Sequence, residues 1–246
     1  MLRLHFAEHI FAQTILKSAY QTELNELRAT LESIEIALNK SGPFTSTGRP
    51  KTPKRHVAKM VDGKEKFVLK PASQKGINTL IKNKLRKLGW TSEPIAVGKE
   101  NAATQKSRLK GDFAKNGVFV EVEFGNVASM FRDLFKFLIA YDNGQAKVGI
   151  LVVASARLGL LFDSGVADYE GIARNVIPYL RITPLPILFV GIDYDEEGEI
   201  VLRHRYDEMY EVATANNLSC FTSEEVFGGL VDELDELEED SESDED

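Results

Sequence analysis

The chain has 246 residues, 43% of them apolar, which suffices to bury one sizeable core. Its single cysteine, Cys220, excludes an internal disulfide framework and a cysteine-based zinc site and fits a reducing, cytoplasmic compartment, while its longest apolar runs, GILVVASA and PLPILFVGI, are too short to span a bilayer. The net charge of −8 hides an uneven distribution: residues 41–115 carry 18 Lys or Arg against 5 acids, so a polyanionic partner is not excluded.

From about His5 to Leu38, the apolar residues Phe6, Ile10, Ile15, Leu24, Leu27, Leu31 and Ile34 recur at helical spacing, which makes 1–40 an N-terminal helical segment of one or two helices. The stretch SGPFTSTGRPKTPKRH has three prolines and dense positive charge, and 41–75 reads as a basic loop region. Arg49, Lys51, Lys54 and Arg55 in it are candidate phosphate contacts, which position a duplex without specifying sequence; a solvated basic loop would have the same composition. SQKGINTLIKNKLRKLGW then places Ile77, Leu80, Ile81, Leu85 and Leu88 on one helical face and lysines on the other, with Gly89 suited to end the helix.

From Gly111 strands and helices alternate, and the catalytic core is expected over 76–230. VFVEVEF reads as a strand, VASMFRDLFKFLIAYD as an amphipathic helix, and KVGILVVA as a wholly apolar strand. A Gly-rich turn (LGLLFDSG), a helix from about Tyr169 to Tyr179 and a second apolar strand, ILFVGID, follow. The pattern predicts an α/β fold whose sheet is covered on both faces and holds some parallel pairs. Residues 232–246 contain 11 acids and no Lys or Arg; without them the chain carries +3. The 231–246 tail is expected to be disordered.

The segment GDFAKNGVFVEVEFGN carries the chemistry. Side chains two apart on a strand share a side, so Glu121 and Glu123 project together while Val120, Val122 and Phe124 face the core. Paired carboxylates repel unless a cation neutralises them, and Asp112 on the adjacent hairpin arm would make three converge on one point. All-oxygen ligands suit magnesium, which polarises a scissile phosphate and lowers the pKa of a bound water. A solvated strand face would also read V-E-V-E, but these acids directly follow the most basic stretch of the chain, and an acidic spot in a basic field is what phosphodiester cleavage needs.

Asp112, eight residues, then Glu121-Val122-Glu123-Phe124-Gly125-Asn126 resembles the active-site hairpin of the BglII and BamHI group of PD-(D/E)XK nucleases. Leu88-Gly89-Trp90 with Glu93-Pro94-Ile95, Asp168-Tyr169-Glu170, and Pro186-Ile187 leading to Phe189-Val190-Gly191 extend the resemblance over about residues 70–195. It implies a mixed central sheet flanked by helices and a dimeric type II restriction endonuclease that cuts double-stranded DNA with Mg2+, alongside a cognate DNA methyltransferase. Asp112 and Glu121 would be metal ligands, with the Val122 carbonyl as a main-chain ligand. Glu123 would stand where most of the superfamily has lysine, a departure shared with the BamHI type, and Glu93 would be the fourth active-site residue. Gly111 replaces the nominal proline, a change expected to matter little. Asn126 would cap the next helix or contact a base, and Asp163 and Ser164 match the base-contacting loop in position or form a plain turn. The competing expectations are a PD-(D/E)XK nuclease of repair or recombination with low base specificity, and a non-catalytic DNA-binding protein.

Overall fold

The computed structural model describes residues 2–40, 58–61, 64–96, 109–162 and 165–228. The sheet grows outward from two wholly buried apolar strands, β7 (Val148–Ala154) and β8 (Ile187–Tyr194), which run parallel with Gly149 opposite Ile187. On the far side of β7, the parallel strand β6 (Val118–Val122) pairs with it and turns back into β5 (Phe113–Lys115), which pairs antiparallel with the short β4 (Thr91–Ser92). On the far side of β8 lies β1 (Leu2–His9), also antiparallel, giving the order β1-β8-β7-β6-β5-β4.

Helices cover both faces. One face packs α1 (Ala12–Ala19), α2 (Gln21–Glu32), α3 (Gln74–Lys87) and α7 (Glu196–Ala215), through Leu16, Leu27, Ile81 and Tyr206, against Val120, Val152 and Val190. The opposite face packs α4 (Val127–Asp142) and α6 (Tyr169–Asn175), through Met130, Phe137 and Ile172, against Phe119, Leu151 and Phe189. The expected α/β architecture, a mixed sheet flanked by helices, is what forms. Two short helices, α5 (Ala156–Leu160) and α8 (Ser223–Phe227), and a 3-10 turn over Ile177–Ile182 complete the described helices.

The N-terminal segment differs from its helical expectation. Residues 2–9 form the edge strand β1, because Leu2, Leu4 and Phe6 alternate toward the sheet core, and helix begins only at Ala12. The basic region also holds a two-stranded antiparallel sheet of β2 (Ala58–Val61) and β3 (Lys64–Phe67). In α3, Ile77, Ile81 and Leu85 are buried as expected, whereas Leu80 and Leu88 are exposed, and Gly89 follows at φ +81°. The Gly-rich turn begins as α5 instead of a loop.

Candidate active site

The hairpin β5–β6 turns at Asn116-Gly117, both at positive φ, the conformation for which Asn-Gly is suited in a two-residue hairpin turn. That turn fixes the register: Phe113 lies opposite Val120, and one step further Asp112 comes opposite Glu121. There the backbone ladder ends, and the Asp112 side chain takes over as acceptor, its Oδ2 receiving the Val122 N–H at 2.8 Å. Glu93 reaches the same place although the segment before Asp112 carries no motif. Its N–H donates to the Asp112 carbonyl at 3.0 Å, and the Gly111 N–H donates to the Pro94 carbonyl at 2.9 Å, so Glu93-Pro94-Ile95 runs beside the hairpin arm.

Glu121 is 0% exposed, which removes the solvated-face reading of V-E-V-E. Its side shares the layer with α4, from which the Lys136 ammonium donates to Glu121 Oε2 at 3.1 Å and pairs with Asp133 at 2.6 Å. The other oxygen, Oε1, is buried and has no hydrogen-bond partner. A Cβ built on Gly111 would stand 3.0 Å from that Oε1 and collide with the Phe119 ring. The glycine in place of the nominal proline therefore does matter, since it lets the backbone close over Phe119 and Glu121.

Glu123, just past the end of β6, turns toward α4: its Oε1 accepts the Gly125 N–H at 2.5 Å, and its other oxygen lies 3.7 Å from Arg132. Among the described residues no group of three or more His, Cys, Asp or Glu is arranged to hold a metal, so the expected convergence of three carboxylates is not the arrangement formed. Asp112 and Glu121 remain together, and Glu123 is drawn off by its helix partners.

The electrostatics follow from burial. Desolvation pushes the Glu121 carboxyl up to about 9, with the nearby Asp112 and Asp133 charges adding to the shift against Lys136. Burial also raises Asp112, opposed by the Val122 hydrogen bond, and brings Glu123 up to about 7, helped by the neighbouring Asp133 carboxylate. Burial alone would lower Lys136, but the Asp133 carboxylate 2.6 Å away and the Glu121 charge outweigh it and raise the ammonium above its ordinary value. Glu93 is different, its side chain 55% exposed at φ +56°, with hydrogen bonds from Lys82 (3.2 Å) and Lys110 (3.4 Å) holding it below the usual carboxylate range.

The model of the family described as restriction endonuclease BglII/BglIII matches residues 4–192. The chain belongs to the BglII/BglIII restriction endonuclease family. It is thus a type II restriction endonuclease, a site-specific deoxyribonuclease acting on double-stranded DNA. A crystal structure of restriction endonuclease BglII complexed with a DNA 16-mer shares the fold, with a TM-score of 0.55 and 18% identity over 78% of this chain and 79% of that one. Free BglII gives a TM-score of 0.49 at 18% identity over 78% and 80%. No curated protein sequence matches. Restriction endonucleases generally use a divalent metal.

Asn126 is an N-cap in this endonuclease: its Oδ1 accepts the Ser129 N–H at 2.9 Å, and its backbone bridges to Val166. Asp163 and Ser164 lie outside the described residues, as do Arg49, Lys51, Lys54 and Arg55. Two segments of the resemblance meet in space, since Asp168 caps α6 and the following Tyr169 ring packs on Gly191. The sequence reading missed Asp133 and Lys136. Their signal was present: both charges interleave with the buried stripe Met130, Leu134, Phe137 and Ala140 of an amphipathic helix.

Proposed function

We propose that this restriction endonuclease hydrolyses both strands of a short palindromic DNA site with Mg2+ held by Asp112, Glu121 and the Val122 carbonyl. The observation that carries this reading is the buried, partnerless Glu121 Oε1 beside Asp112. Four carboxylates, Asp112, Glu121, Glu123 and Asp133, meet two cations from α4, Lys136 and Arg132. The surplus negative charge must be met by protons or by a cation. Two carboxylates with a carbonyl suit Mg2+, which keeps several waters and rarely takes an all-protein cage.

Magnesium bound there would polarise the scissile phosphate and supply a coordinated water of lowered pKa. Asp112 is fixed for binding by the Val122 N–H, and Glu121 presents its free oxygen. Glu123 is balanced near neutral pH and suited to take up a proton at its carboxylate as water attacks. Glu93 completes the site and keeps the Lys82 and Lys110 ammonium groups at its mouth, where they meet phosphate. Arg49, Lys51, Lys54 and Arg55 add phosphate contacts; Asn126, Asp163 and Ser164 contact bases.

Cutting both strands of a palindrome calls for two sites related by a two-fold axis, hence a homodimer. Val127, Phe131 and Phe135 form an uncovered row along α4, 49%, 53% and 57% exposed, that a second copy would cover. In the cell the enzyme works in the cytoplasm with a DNA methyltransferase that protects the same sites. Incubating the purified protein with plasmid, with and without Mg2+, tests the reading: discrete fragments in Mg2+ alone are expected. A smear, or no cleavage, would overturn it.

A further inference from the structure

Helix α4 starts four residues after Glu123 and crosses back over β6, carrying Asp133 and Lys136 at i,i+3 on one face. Lys136 is buried at 9% exposure, and its two carboxylate partners are more deeply buried still. Burying three ionisable groups together is costly unless their polar atoms are paired, so a salt bridge kept for stability alone would be expected to satisfy every oxygen it encloses. This one does not. Lys136 takes Glu121 Oε2, and two enclosed oxygens, Glu121 Oε1 and Asp133 Oδ1, lack a hydrogen bond; Asp133 Oδ1 still stands 2.6 Å from the Lys136 ammonium, whereas Glu121 Oε1, next to the Gly111 backbone, has no ion-pair partner among the described residues.

We propose that Lys136, anchored by Asp133, is a positioning residue that ties back one oxygen of Glu121 and presents the other to the divalent cation. The proposal rests on the assignment of Glu121 as a metal ligand and extends it to a pair of residues on another element. Asp133 fixes where the ammonium stands, the ammonium fixes the rotation of the Glu121 carboxylate, and only Oε1, the oxygen next to Gly111, stays open. The dependence is therefore serial, so removing Asp133 and removing Lys136 should have one effect, not two.

The test uses the full-length protein. Mn2+ binding is read from the resonance of free Mn2+ in solution, DNA affinity from gel shifts in Ca2+, and kcat and KM from cleavage of plasmid in Mg2+. For Lys136→Met we expect Mn2+ affinity and kcat each to fall about 10- to 100-fold, the usual cost of losing a group that orients a ligand, with DNA affinity and KM unchanged. Asp133→Asn should act in the same direction, and the double variant should be no worse than Lys136→Met. Lys136→Arg, which keeps the charge and reach, should recover part of the loss, and together with Asp133→Asn it carries the test if Lys136→Met does not fold. Unchanged or tighter Mn2+ binding in Lys136→Met, while Glu121→Ala abolishes it, would overturn the positioning role alone. Additive losses in the double variant would also overturn it. Mn2+ binding and cleavage that survive Glu121→Ala would overturn the metal-site assignment itself and this proposal with it.

Discussion

Val118, Val120 and Val122 on one side of β6, and Phe119 and Glu121 on the other, are all buried, yet the two sides carry opposite chemistry. The valines meet the aliphatic layer of α2 and α3, and each adds about 1.5–3 kcal/mol by leaving water. The glutamate side meets α4, which offers Lys136 and Asp133 where the other layer offers leucines. A strand buried on both faces thus does two jobs: one side contributes stability, and the other spends some of it to hold carboxylates away from water. Accessibility alone does not distinguish the sides; what each packs against does.

The sharpest break between the two sides is expected in catalysis. Asp112→Ala and Glu121→Ala should each lower cleavage at least about 1,000-fold, because both nucleophile and charge stabilisation are lost. DNA binding in Ca2+, measured by gel shift, should persist or tighten. Val120→Ala on the opposite side should behave inversely, costing about 2 kcal/mol in urea unfolding while cleavage per folded molecule holds. Equal cleavage losses from both substitutions would dissolve the distinction.

A pH series sharpens it further. Glu121 is raised from 4.5 to about 9, so the metal-free folded protein keeps a proton that the unfolded chain releases. Between those limits the unfolded state binds fewer protons, and stability must fall as pH rises. Glu123, raised to about 7, adds the same sign over the lower part of that window. Thermal melts in EDTA should therefore show Tm falling from about pH 6 to about pH 8.5, with a shallower slope in Glu121→Gln and an unchanged one in Val120→Ala. Smallest of all is the effect of the acidic tail: truncation after Val231 should leave the fragment pattern unchanged, because its 11 acids cannot help approach phosphates.

Much of this contrast stands in the sequence. Alternation places Glu121 and Glu123 on one side, and Asn116-Gly117 marks a hairpin whose register sets Asp112 opposite Glu121. The separation of Glu123 from the other two acids does not stand there, because it depends on how α4 docks and where Arg132 and Asp133 fall. Contacts between a strand and the helix that returns over it are long-range packing, to which periodicity is blind. Edge strand β1 was hidden for a different reason: Leu2, Leu4 and Phe6 alternate over too few residues to outweigh the helical spacing that follows. The 20-residue helix α7 buries Leu202, Tyr206, Met209 and Ala213 at helical spacing, but it lies past the end of the resemblance and is densely charged elsewhere.

The most direct test of the account is where a metal sits. Crystals of the protein with uncleaved duplex, soaked in Mn2+ and measured at the manganese edge, should show an anomalous peak bounded by the Asp112 carboxylate, Glu121 Oε1 and the Val122 carbonyl, with Lys136 still on Oε2. A peak held by Glu93 or Glu123 without Glu121, or no peak at the hairpin in a crystal that cleaves its DNA, would contradict it.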